Sequence, residues 1–366
     1  MSIAQQEDGR QTRFLQDILR QPSEMRRAIE FLTGPGSDAL RAARSLIESS
    51  RGVVLTGIGA SWHGVMSAST FFDLCGRPVV IQDAGELLHF TSMPWKVVVA
   101  ISRTGRSVEI VKLLAKAKAS GAAVIGITNC AGSPLAEESD VPIVVPTPLD
   151  HGISVATFST LRIAACALAS SDEMSLESVA EPLTKTLDEC DRQLELWGQQ
   201  LDHSRWLEPG EPYYFLARGA TLGSCHEARL LWEEGVKAPA TAMSTSSFRH
   251  GPQEIVRPGM RFCVWIDQMH MRDQDLSVAH DLRELGASVM VIGESVSRDD
   301  GDLVCELPAS PPHWQFAIDI VPIQLAAERL SKLSGVDCDS FRICSYIVED
   351  EHGLLHREAE VMPDVD

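Results

Sequence analysis

The stretch Val97-Val98-Val99-Ala100-Ile101-Ser102-Arg103-Thr104-Gly105-Arg106-Ser107 decides the fold. Its first five residues are apolar and mostly β-branched, in a run too short for a typical helix. A strand buried on both faces of a parallel sheet has this composition. Val108 to Ala119 follows with apolar residues at helical spacing and stops at Ser120-Gly121. The hydroxyl-rich segment therefore joins the C-terminal end of a strand to the N-terminal end of a helix, the edge at which open α/β sheets bind ligands. A helix start offers free N–H groups and a partial positive charge, which suits a phosphate. Ser102, Thr104 and Ser107 add hydroxyl donors, and Gly105 lets the backbone approach closely. The same residue types also make an ordinary capped helix start, so the loop alone leaves an anion seat and a plain cap both open.

Similar units flank it. Residues 11–33 read as a helical arm with a break at Pro22, closed by Gly34-Pro35-Gly36. Gly52 to Thr56 reads as a strand, Gly57-Ile58-Gly59-Ala60-Ser61 as its loop, and the residues through Phe72 as a helix. This G-x-G lacks the third glycine of a dinucleotide fingerprint, so NAD is rejected. Val79–Ile81, Ala123–Thr128 and Pro142–Val145 complete a series of strands alternating with helices, which implies a doubly wound parallel sheet of flavodoxin-like α/β/α type. His151-Gly152-Ile153-Ser154-Val155-Ala156-Thr157 opens a long apolar helix, and Leu176–Leu201 alternates in charge like a solvated linker helix.

The pattern then repeats. Tyr213 to Thr221 echoes Val53 to Ser61, Arg261 to Ile266 echoes Lys96 to Ile101, and Gly286 to Gly293 echoes Gly121 to Thr128, at a nearly constant offset along the chain. Three matches in order imply an internal duplication. The expected organisation is an arm over 1–38, a first α/β domain over 39–175, a linker helix over 176–205, a second α/β domain over 206–340 and a tail over 341–366. The second copy of the hydroxyl loop reads Asp267-Gln268-Met269-His270-Met271, without Gly, Ser or Thr. An aspartate there repels phosphate, so the anion belongs to the first half.

Composition narrows the function. The 366 residues carry 51 acidic and 32 basic side chains, a net charge of -19. This argues against nucleic acid and anionic membrane as partners. The nine cysteines form no CxxC pair and no metal-ligand pattern, which reads as free thiols in a reducing compartment and no metal. The first 13 residues lack an apolar signal core, and no run reaches the ~20 apolar residues that span a bilayer. A cytoplasmic protein without a cofactor is expected.

Two features of the second half carry chemistry. The helix Cys225–Val236 places Glu227 and Glu234 on the side of Leu230 and Leu231. A carboxylate beside an apolar stripe has its charged form disfavoured, as a general base near neutral pH requires; solvated surface acids give the same pattern. Further on, Arg249-His250-Gly251-Pro252 fixes an imidazole in a polar loop, either an acid/base or an inert loop histidine.

Taken together, Ser102-Arg103-Thr104-Gly105, Ser154-Val155-Ala156-Thr157 and the Glu227–Glu234 helix followed by Arg249-His250-Gly251-Pro252 resemble the SIS (sugar isomerase) family in its two-domain form. That form includes the isomerase half of glucosamine-6-phosphate synthase, phosphosugar isomerases and amino-sugar-6-phosphate deaminases. The resemblance covers roughly residues 40 to 350. It implies that Ser102, Arg103, Thr104, Gly105 and Ser107 hold the phosphate. Gly59, Ala60, Ser61, Val155 and Thr157 would then touch the sugar. It further implies that Glu234 transfers the proton, with Glu227 and Tyr346 as further candidates. His250 would open the sugar ring, reaching across a homodimer into the partner's site.

The sequence departs from the synthase in having Leu231 and Tyr346 where that enzyme has lysines, which bears on lysine-assisted steps. It begins Met1-Ser2-Ile3, without a glutaminase domain, so no ammonia from glutamine is expected. The tail beyond Val348 is acidic, unlike the synthase's short end. The expected function is a phosphosugar aldose–ketose isomerase or amino-sugar-6-phosphate deaminase working through an enediol or enolamine. A non-catalytic phosphosugar sensor is the alternative, and a nucleotide-binding α/β protein is disfavoured because no complete phosphate-loop motif is present.

Overall fold

The computed structural model describes residues 11–169, 173–351 and 353–354. The N-terminal Met1-Ser2-Ile3 and the acidic tail beyond residue 354 lie outside the described residues. In the first lobe β1 (Val53–Thr56), β2 (Val80–Ile81), β3 (Val97–Ile101), β4 (Ala123–Thr128) and β5 (Val141–Val144) are parallel, in the order β2-β1-β3-β4-β5. In the second lobe β6 (Tyr213–Ala217), β7 (Ala240–Ser244), β8 (Arg261–Trp265), β9 (Ser288–Glu294) and β10 (Leu303–Leu307) run in the order β10-β9-β8-β6-β7. Numbered within each lobe, both sheets have the flavodoxin-like order, whose ligand crevice lies where the winding reverses, between the first and third strands.

The helices are α1 (Arg13–Thr33), α2 (Ser37–Glu48), α3 (Ala60–Leu74), α4 (Ala84–His89), α5 (Val108–Ser120) and α6 (Pro134–Glu138). They continue with α7 (Ala156–Ala167), α8 (Leu176–His203), α9 (Leu222–Leu231), α10 (Thr245–Phe248), α11 (Arg272–Glu284) and α12 (Val321–Leu333). The α/β fold, the duplication and the N-terminal helix are those expected. The run Val97–Ile101 is buried at every position and pairs with β1 and β4, in register Val99 to Leu55 and Val99 to Ile125.

Three local expectations are corrected. First, α1 continues through Pro22 without a break. Phe14, Ile18, Met25, Ile29 and Leu32 all bury on its inner face, and this packing outweighs the hydrogen bond that proline removes. Second, α8 is not a solvated connector. Leu183, Leu187, Cys190, Leu194, Trp197 and Leu201 line a buried face against α1 and α12, in a core shared by both lobes. The charge alternation belongs to its outer face only. Third, the helix expected over Cys225–Val236 ends as an α-helix at Leu231, and Trp232–Val236 forms a π-helical turn.

The lobes meet through α3, α7 and α9. Gly223 lets the backbones touch: a Cβ there would lie 2.4 Å from the His63 carbonyl oxygen and from Ser67 Oγ. Arg162 on α7 is fully buried. It donates to Ser224 Oγ (2.5 Å) and lies 3.7 Å from Asp319, which the desolvated guanidinium requires as counter-charge. Among the described residues no helix is long and apolar enough to cross a membrane, and no cluster of His, Cys, Asp and Glu is arranged to hold a metal ion. The nine cysteines are free thiols.

Candidate active site

At the crevice of the first sheet, a cavity of about 250 Å³ is enclosed from both lobes. The loop after β1 contributes Ile58 to Ser61, and the loop after β3 contributes Ser102, Arg103, Thr104 and Ser107. Gly152 and Ser154 precede α7. The tail contributes Phe341 and Cys344 to Val348, and the second lobe contributes Leu230 and Glu234.

The helix starts at the strand-end edges differ in what fills them. The start of α7 is occupied by the Asp150 carboxylate, which accepts from the amides of Val155 (2.8 Å), Ala156 (3.2 Å) and Thr157 (3.0 Å). The entry to α11 is occupied by Asp267, whose Oδ2 accepts from the amides of His270 and Met271, both at 2.7 Å. Among the described residues no carboxylate accepts from the amides at the start of α5, though Glu109 of its first turn also lines the cavity. Its cap residue Ser107 makes no side-chain capping bond, and the Val108 amide donates instead to the Val348 carbonyl of the tail (3.0 Å). Ser102 Oγ accepts from the Gly105 amide (3.1 Å) and Thr104 Oγ1 from the Arg106 amide (3.3 Å), so each hydroxyl keeps its proton to donate. The β3–α5 loop thus presents hydroxyl donors and Arg103 to the cavity at a positive helix end, the arrangement an anion takes.

Glu234 enters from the other side. It lies in the π-helical turn, a wider turn that recurs at functional sites. Lys237 closes that turn in a left-handed conformation (φ 59°), its ammonium donating to the Glu234 and Ser340 carbonyls. Burial pushes the Glu234 carboxyl up to about 7, and the neighbouring Glu227 adds to the rise. Arg103 and Lys237 oppose it. A carboxyl poised there both takes and gives a proton near neutral pH. Glu227 itself is 1% exposed, pairs with His63 Nδ1 (2.7 Å) and does not line the cavity.

The tail is tied across the opening. Arg103 Nη1 donates to the Gly152 carbonyl (2.8 Å) and Nη2 to the Tyr346 carbonyl (3.3 Å), with the guanidinium 4.3 Å from the centre of the Tyr346 ring. The Tyr346 hydroxyl donates to the Asp150 carbonyl (2.7 Å). Asp150 is in turn paired with Arg20 of α1 (2.6 Å), so the arm braces the same loop.

Of the residues singled out in the sequence, Gly59, Ala60, Ser61, Ser102, Arg103, Thr104, Ser107, Glu234 and Tyr346 line this one cavity. Gly105 does not: its φ is +63°, and a Cβ would lie 2.3 Å from Ser133 Oγ, so glycine is needed there for the turn and its packing. Val155 and Thr157 are fully buried behind the wall, because their amides turn inward to Asp150, and Gly152 and Ser154 face the cavity from that loop. His250 is exposed on the loop after α10 and is not among the lining residues. His63, Asp150 and Arg20 were not legible in the sequence; each acts through a partner remote along the chain or, for Asp150, through a turn whose shape no motif announces.

Comparison with known proteins agrees with this architecture. Residues 46–169 match the SIS domain family. The glutamine–fructose-6-phosphate aminotransferase (isomerizing) of Pyrococcus horikoshii is 22% identical over 335 residues, covering 89% of this chain and 55% of that protein. The chain thus spans about half the length of the curated relatives it matches. Tagatose-6-phosphate ketose/aldose isomerase from Escherichia coli has the same fold at 20% identity, with a TM-score of 0.76 over 90% of this chain and 94% of that one. Glucosamine-6-phosphate deaminase from Thermotoga maritima superposes at 22% identity with a TM-score of 0.73, over 92% and 99%.

Proposed function

For a chain whose residues 46–169 are a SIS domain, and whose second lobe repeats the same sheet order, we propose aldose–ketose isomerisation of a sugar phosphate. The phosphate sits at the start of α5, held by the hydroxyls of Ser102, Thr104 and Ser107 and by the Arg103 guanidinium. The Val348 carbonyl gives up the Val108 amide as the anion arrives. The sugar lies against Gly59–Ser61 and Ser154. Glu234 takes the proton from one of the two neighbouring carbons at the reacting end and returns it to the other, through an enediol, while a second proton passes from the hydroxyl on one of these carbons to the carbonyl oxygen on the other.

The observation that carries this reading is that a carboxyl titrating at about 7 and a hydroxyl-lined helix start share one 250 Å³ cavity. No lysine lines that cavity among the described residues, and Leu231 is fully buried. The chemistry available is therefore proton transfer without a lysine Schiff base, which interconverts an aldose and a ketose directly; on a 2-amino sugar the same transfer would leave an imine for water to hydrolyse. His250 is exposed away from its own cavity, so ring opening by this residue requires a second copy that presents it, and a homodimer forms part of the proposal.

The test is proton exchange. Candidate hexose and hexosamine 6-phosphates are incubated with the protein in deuterated water. Deuterium at C2 or C1 is the expected result, and tight binding without exchange would make the protein a phosphosugar sensor instead.

A further inference from the structure

The crevice of the second sheet holds a cavity of its own, about 210 Å³. It is the counterpart of the first by duplication. Gly219, Ala220 and Thr221 follow Gly59, Ala60 and Ser61 at the same offset by which Leu230 and Glu234 follow Thr70 and Leu74 of α3. Each cavity is thus built from one sheet edge and capped by the helix that follows the first strand of the opposite lobe. In the second cavity, however, leucine replaces the titrating glutamate, so proton transfer is lost while the enclosure is kept.

What the helix start offers also differs, although each cavity is lined by one guanidinium and two carboxylates: Arg103, Glu109 and Glu234 in the first, Arg218, Asp267 and Glu294 in the second. The anion seat at α11 is already filled by Asp267, whose Oδ1 has no hydrogen-bond partner among the described residues. Glu294 lines the same space and engages Ser310 through Oε1. The cation present, Arg218, is committed to Asp275 (2.7 Å), Gln274 and Ser246. His270 and His313 supply ring nitrogens, and Phe316 an apolar wall. With its helix start already holding a carboxylate, and no Ser or Thr in the loop over residues 267–271, this cavity has no seat for a phosphate, and the open Oδ1 of Asp267 favours a positive group; hydrogen-bonding side chains around an apolar wall suit a ring of hydroxyls.

We infer that this second cavity binds a small polyol bearing a protonated amine and no phosphate, as a ligand that is held and not converted. The inference stands on the geometry of the second cavity, whichever sugar phosphate the first one takes.

Calorimetric titration of the full chain tests it, with glucosamine as the probe and glucose and glucosamine 6-phosphate as comparisons. Glucosamine is expected to bind, more tightly than glucose. Leu74→Trp fills the cavity and should weaken glucosamine at least about tenfold, while Glu234→Gln, in the first cavity, leaves it unchanged. Should Leu74→Trp fail to fold, Asp267→Asn serves. Its amide oxygen still accepts the His270 and Met271 amides, and loss of the charge should remove the preference for glucosamine over glucose. Three results would overturn the proposal: no glucosamine binding, binding that Glu234→Gln abolishes, or binding that neither Leu74→Trp nor Asp267→Asn weakens. Failure of every hexose and hexosamine 6-phosphate to bind would count against the function proposed for the first cavity and leave this inference standing.

Discussion

Leu74 and Glu234 hold equivalent places in the two halves of the molecule. The internal repeat relates them, and each reaches from its own lobe into the cavity at the other lobe's sheet edge. One is apolar and the other is a carboxyl held near neutrality by burial. The duplication built two enclosures of similar size, and the side chain at this position separates the one equipped for proton transfer from the one that is not.

Replacing that carboxyl is the direct test of its role. Glu234→Gln keeps shape and hydrogen bonding but cannot take a proton. Turnover of the sugar phosphate should fall by about 10²–10⁴-fold, the usual contribution of a positioned general base, with affinity for the sugar phosphate retained by calorimetry. Equal loss of binding and turnover would assign Glu234 to substrate binding instead.

The same substitution has a signature in stability. An unfolded glutamate titrates near 4.5 and the folded one at about 7. Between these values the native protein holds a proton that the unfolded chain has released, so native stability falls as pH rises from 4.5 towards 7 and levels off above it. Glu234→Gln removes this loss. Its melting temperature should exceed that of the wild type at pH 8, and the two should converge near pH 4.5. A difference that does not change with pH would mean that the carboxyl is not perturbed.

Arg103 touches both halves of the proposed chemistry. It is the guanidinium at the anion seat, and it also lowers the Glu234 carboxyl. Arg103→Ala should weaken sugar-phosphate binding roughly ten- to a hundredfold, the range for losing a hydrogen bond to a charged group. It should also move the acid limb of the activity profile to higher pH. Arg103→Lys should recover part of the affinity but not the hold on Gly152 and Tyr346, because an ammonium lacks the planar fork.

Gly105 is required by geometry. Its left-handed φ costs an L-residue about 1–2 kcal/mol, and a methyl group would collide with Ser133. Gly105→Ala should therefore lose roughly 2–4 kcal/mol in all once overpacking is added, seen as a lower urea midpoint at unchanged slope. A neutral result would show that the loop relaxes freely.

Trp197 measures whether α8 belongs to the core. It is 1% exposed and donates from its indole nitrogen to the Glu306 carbonyl (3.3 Å). Trp197→Ala should cost about 3–5 kcal/mol, far more than a substitution on a solvated connector.

The sequence by itself determined the elements and their repetition. β-branched runs such as Val97–Ile101, the hydroxyl-rich turn Ser102–Ser107 and the echo of Val53–Ser61 in Tyr213–Thr221 are short-range patterns, and short-range physics is what a linear reading captures. It also marked Glu234 as an acid beside an apolar stripe. Only the tertiary structure decided which helix start stays open to an anion, because that depends on where Asp150 and Asp267 fold back onto neighbouring amides. Only packing showed that α8 is buried, that Val155 and Thr157 face inward, and that the tail crosses the mouth through Tyr346 and Val348. The pairing of Glu234 with the distant Ser102–Ser107 loop likewise arises from the contact between α3 and α9. Local propensity has no term for such contacts, since desolvation and charge proximity depend on distance in space and not on distance along the chain.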